Sequence, residues 1–130
     1  MWHTMSDWYA EFAAKQNWGF LLPMVELTKW VADQPFAAQL FPGPSHEWLC
    51  VHLRPGYNPD LPFFSCVAQE DKKFKCELWA EVGQSLDSRV VPLAEAHEVF
   101  EKFVGLLLGV SERAIQTTQG TDKGQGQFTG

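Results

Sequence analysis

The change of hydrophobic period at residue 46 constrains the fold of this chain more than any other feature. Before Pro42-Gly43-Pro44-Ser45 the apolar residues recur every three or four positions, and after it they alternate. A period near 3.6 lines one face of a helix; a period of 2 lines one face of a strand. A chain that makes this switch once, at a Pro/Gly-rich break, groups its helices and strands into separate runs. That order predicts an α+β fold with a mainly antiparallel sheet, not repeated βαβ units.

The helical stretches are delimited by their end signals. Ser6-Asp7 offers an N-cap oxygen and a first-turn acid, Trp8 and Phe12 follow at i, i+4 spacing, and Asn17-Trp18-Gly19 offers a stop. A first helix is expected over 6–17. Pro23 opens a second, in which Met24, Leu27, Trp30 and Val31 form one stripe, and Pro35 ends it. Residues 36–41 are expected to add a short turn, and 42–45 to be a break.

Residues 46–53 then read as a strand, with Leu49, Val51 and Leu53 on one face and His46, Trp48, Cys50 and His52 on the other. Arg54 to Pro62 is a proline-rich loop. Residues 63–69 and 73–81, joined by Glu70-Asp71-Lys72, are expected to form a hairpin. Arg89-Val90-Val91 reads as a short fourth strand. Pro92 opens a C-terminal helix over 92–108, ended by Gly109. The expected fold is therefore two N-terminal helices, a three- to four-stranded sheet, and a C-terminal helix packed on it. From Gln116 onward the chain holds Gln, Thr and Gly with one aromatic, Phe128, too little to bury a core. Residues 1–115 are expected to form a single domain, and 116–130 a disordered tail.

Charge narrows the function. Ten Lys+Arg against 16 Asp+Glu leave a net charge of −6, which disfavours nucleic-acid phosphates and anionic membranes as partners. No apolar stretch approaches the roughly 18 residues of a membrane span. The three cysteines are an odd number in a chain able to build a core, which points to free thiols and a cytoplasmic location. The sequence has no G-x-S-x-G, no G-x-x-x-x-G-K-[ST] and no G-x-G-x-x-G before a helix. It identifies no catalytic residue, no metal-ligand set and no cofactor.

Three constellations remain. Cys50 shares a strand face with His46 and His52, and the loop that follows carries Arg54, Tyr57 and Asp60. Together these six residues are the candidate site of a small enzyme or ligand-binding domain. Cys50, His52, Cys66 and Cys76 lack the C-x2-C knuckle of a zinc site, and core thiols are the simpler expectation. His97-Glu98 with Glu101 keeps only part of the H-E-x-x-H zinc pattern and reads as a solvated acidic flank.

The stronger functional signal is a surplus of large apolar groups, since 14% of the residues are aromatic. Trp48 and Trp79 fall on strand faces opposite the main apolar sets. On the last helix Val99 and Leu106 widen the apolar arc to about 200°, beyond the ≳ 100° stripe of a one-sided helix. Trp48, Trp79, Val99 and Leu106 are thus the candidate contacts for a protein partner or a second copy in a homodimer. The expected function is a small acidic protein-interaction module.

Overall fold

The computed structural model describes residues 1–56, 58 and 60–124, with side chains described as far as Arg113. Helix α1 (Trp2–Gln16) is followed by a 3-10 turn (Gly19–Leu21), α2 (Leu22–Ala32) and a second 3-10 turn (Pro35–Gln39). Five strands come next: β1 (Phe41–Ser45), β2 (Trp48–His52), β3 (Phe63–Gln69), β4 (Lys73–Glu81) and β5 (Gln84–Pro92). A third 3-10 turn (Leu93–Glu95) leads into α3 (Ala96–Gly124). The strands form one sheet in the order β1-β2-β3-β4-β5, every neighbour antiparallel. This is the α+β arrangement expected from the change of period, with more strands than anticipated.

The added strand is β1, where a break was expected. Its sequence, Phe41-Pro42-Gly43-Pro44-Ser45, lacks two backbone donors. Pro42 and Pro44 lie opposite Val51 and Leu49, with Gly43 opposite Cys50 between them. Backbone groups alternate in direction along an antiparallel strand, so positions 42 and 44 point the same way. Neither proline can donate, so both must point to the outer edge, while Phe41, Gly43 and Ser45 bond to β2. An edge strand tolerates proline in that phase alone. The hairpin turns at His46-Glu47, with His46 at φ 55.

α1 starts at Trp2, four residues before the expected start, because Trp2 is a core residue. Its indole N–H donates to the Leu40 carbonyl at 3.3 Å, and its ring meets Phe100 edge-on with centroids 6.3 Å apart. Ser6 is accordingly not a cap. It lies inside the helix, with its hydroxyl 2.6 Å from that of Thr28 on α2. The left-handed C-cap of α1 is Asn17, at φ 57, rather than Gly19.

The three helices pack on one side of the sheet, the inner face. Leu49, Val51, Phe64, Cys66, Phe74, Cys76 and Leu78 point into a core with Tyr9, Met24, Leu27, Val31 and Phe103. Phe100 of α3 is a hub, its ring in edge-to-face or stacked contact with Trp2, Trp30, Phe36 and Phe64. α3 begins four residues later than expected and continues past Gly109. Of the stretch read as a disordered tail, only the backbone to Gly124 is described, and 125–130 lie outside the described residues.

Candidate functional site: the outer face of the sheet

Strand alternation sends Trp48, Cys50 and His52 of β2, Phe63 and Ser65 of β3, and Glu77 and Trp79 of β4 to the face opposite the helices. The register brings them together, since Cys50 faces Ser65, Ser65 faces Glu77 and Phe63 faces Trp79. Cys50, His52, Phe63 and Ser65 are buried although the face is made of strands alone; Trp48 and Trp79 are half-buried.

The burial comes from a ladder of flat rings. His52 stacks on Phe63 with centroids 5.0 Å apart, and Phe63 stacks on Trp79 at 6.1 Å with planes 14° apart. The Trp79 indole N–H donates to Ser65 Oγ at 3.1 Å, which fixes the ring over the neighbouring strand β3. On the other flank Lys75 Nζ lies 5.8 Å from the Trp48 ring, within cation–π reach.

Between the two tryptophans lies a cavity of about 250 Å³, lined by Ser45, Trp48, Cys50, Phe63, Ser65, Glu77, Trp79, Val82 and Gly83. Every one of these residues belongs to a strand or to the β4–β5 turn. A second hollow of about 570 Å³ adjoins it, lined by β1, Cys50, His52 and Gly56. Cys50 lines both.

The chemistry of the face is apolar and weakly reactive. Burial pushes the Cys50 thiol up to about 11 and lowers the pKa of His52 below its ordinary value. Both groups are therefore neutral near pH 7, and Cys50 is a poor nucleophile there. Cys66 and Cys76 face each other across β3 and β4 on the inner face, so they cannot join Cys50 and His52. The Cys66 thiol is raised well above its usual value, first by burial and then by its hydrogen bond with Cys76. Among the described residues no group of three or more His, Cys, Asp or Glu side chains converges as a metal site.

The expected site residues divide. Trp48 and Trp79 share the outer face, as does the pair Cys50 and His52. His46 does not join them: it is exposed in the β1–β2 turn, because the strand begins two residues later than expected. Arg54 and Asp60 are exposed in the loop and line neither hollow, and Tyr57 lies outside the described residues. Val99 is 6% exposed within the core, and Leu106 is half-buried against it. The wide apolar arc of α3 is occupied from two sides, by the sheet and by the N-terminal helices. His97 stacks on Trp30 with centroids 4.1 Å apart, and its Nε2 is 2.9 Å from Glu26 Oε1. Phe63 and Ser65 belong to neither candidate set; only the register, which puts them opposite Trp79 and Cys50, brings them onto this face.

No helix among the described residues is long and apolar enough to cross a membrane. Compared with models of known protein families, with curated proteins and with solved structures, the chain matches none.

Proposed function

We propose that this protein is a protein-interaction module that takes an extended segment of a partner across the outer face of its sheet. The observation that carries the reading is the cleft between Trp48 and Trp79, floored by Cys50, Phe63 and Ser65 and lined, among the described residues, by strand and turn residues alone. Aromatic side chains with one wet end are favoured contacts, because they bury large apolar area at small entropic cost. Glu77 lines the cleft, and the chain carries a net charge of −6. The matching partner segment carries an apolar anchor for the cleft and a Lys or Arg beside it.

A photo-crosslinking amino acid tests this when placed at Ser45 on the cleft rim, with Glu11 on α1 as control. Adducts from the native lysate should form from Ser45 and not from Glu11, and Trp79→Ala should abolish them. Equal labelling from both positions would end the reading.

The hollow that joins Cys50, His52 and Gly56 to β1 favours a second reading, a ligand-binding domain. Its volume of about 570 Å³ falls within the range of small-molecule pockets, roughly 300–1,000 Å³. Neutral Cys50 and His52 would then orient a ligand rather than attack it.

A further inference from the structure

The two edges of the sheet differ in what they can accept. At β1 the outward positions are Pro42 and Pro44, so that edge has no N–H at either to offer another strand. At β5 the direction of the backbone groups follows from the hydrogen bond of Leu93 N–H to the Lys72 carbonyl at 2.8 Å. Residue 93 continues the register in which Val91 faces Phe74, Arg89 faces Cys76 and Asp87 faces Leu78. By the period of two, these residues bond to β4, while Ser88, Val90 and Pro92 direct their backbone groups outward. Ser88 and Val90 both carry an N–H. The β5 edge is thus open to strand addition where the β1 edge is closed.

The side chains along β5 match a second copy of themselves. We propose that the protein forms a twofold homodimer by antiparallel pairing of β5 with β5 of a second copy, centred on Ser88. In this register Asp87 lies opposite Arg89 of the second copy and Arg89 opposite its Asp87. Within one chain the two already form an ion pair, Arg89 Nη2 to Asp87 Oδ2 at 3.5 Å, so the dimer joins two pairs into a four-charge cluster. Leu86 and Val90, 46% and 55% exposed in the single chain, come to face each other across the axis. Leu86 is the extra residue of a β-bulge, since Leu78 pairs with Asp87 and Trp79 with Ser85, and it marks the end of the pairing.

The neighbouring registers are worse. Centring on Arg89 sets that residue opposite itself, and like charges directly opposite are destabilising. Centring on Val90 sets Ser88 opposite Pro92, which has no N–H to give. The surface is separate from the Trp48–Trp79 cleft, and the proposal stands or falls without it.

Sedimentation equilibrium of the full chain across a wide concentration range tests the proposal. The expected mass is twice the 14.7 kDa of one chain. Asp87→Arg and Arg89→Asp should each be monomeric alone, since each places like charges across the axis. An equimolar mixture of the two should recover the twofold mass, because every cross-strand pair is then of opposite sign. A monomeric natural chain, single variants that remain dimeric, or a mixture that stays monomeric would each overturn it. As a measurement independent of those variants, Ser88→Cys at the axis should give a covalent dimer on mild oxidation, while Ser85→Cys should not. Failure of Ser88→Cys to crosslink, or equal crosslinking of Ser85→Cys, would equally overturn the register. A strand supplied by a different protein would show as a monomeric natural chain, which is the first of these adverse outcomes.

Discussion

The imidazole of His52 lies 5.0 Å from the ring of Phe63 with their planes 21° apart, and the phenyl ring in turn stacks on Trp79. Three flat side chains from β2, β3 and β4 thus cover the outer face that the helices leave open. His52 is 5% exposed in this stack, and burial lowers its pKa.

That shift makes stability depend on pH in a definite direction. The unfolded chain protonates His52 near the ordinary value of about 6.5, while the folded chain takes the proton at lower pH. Between the two the unfolded state binds more protons, so stability is full above about pH 6.5 and falls as pH drops below it. Urea midpoints measured in steps from about pH 7.5 to 5.5 should show the fall, and His52→Gln should flatten it. Equal slopes for the natural chain and the variant would contradict the assignment.

Thiol titration reads the two faces separately. Cys66 and Cys76 are fully buried, and burial raises the thiols of Cys50 and Cys66. A disulfide reagent at about pH 8 should leave Cys66 and Cys76 untouched in the native protein and react slowly with Cys50. All three thiols should react at once in denaturant. Rapid native labelling of Cys66 would mean that the β3–β4 ladder opens.

Phe100 joins α3 to both the sheet and the N-terminal helices, through Phe64 on one side and Trp2, Trp30 and Phe36 on the other. Phe100→Ala should cost about 3–5 kcal/mol, the range for deleting a large ring from a packed core. Denaturant unfolding checks it; a loss below about 1 kcal/mol would place Phe100 outside the core.

Tyr9 is wholly buried, and its hydroxyl donates to the Glu47 carbonyl at 2.9 Å, tying α1 to the β1–β2 turn. Tyr9→Phe keeps the ring and removes the tie. The expected loss is about 1 kcal/mol, with hydrogen exchange faster at the turn than in β3. Uniform exchange in both places would deny the link.

The prolines of β1 predict a gain of association when removed. Pro42→Thr with Pro44→Thr restores two outward N–H groups and makes this edge a template like β5. Light scattering should then show concentration-dependent species larger than those of the natural chain. No change in size would mean that side chains, rather than missing donors, protect the edge.

Much of the architecture was legible because apolar period reports which face is buried. β4 over 73–81 follows its alternation to the residue, β3 over 63–69 matches the expected partner of that hairpin, and α2 follows the Met24/Leu27/Val31 stripe. β1 was not legible, since proline and glycine signal a break unless one knows that a neighbour bonds to one side of the strand only. The extent of β5 was hidden for a related reason. Its residues are mostly exposed and polar, and they are held by the β4 ladder rather than by burial. Likewise Ser6 reads as a cap until Thr28 comes beside it, and no local pattern shows that Trp2 reaches the Leu40 carbonyl.

For the candidate site, the sequence by itself determined that Trp48, Cys50, His52 and Trp79 point away from the main apolar sets, because side chains alternate along any strand. It could not place Phe63 and Ser65 among them or remove His46 from them, since register and turn position depend on pairing between strands. The tertiary structure alone decided that Val99 is used inside the core. It alone decided that one edge lacks outward donors while the other keeps them. Those are properties of neighbours brought together by the fold, and no local pattern of residues encodes them.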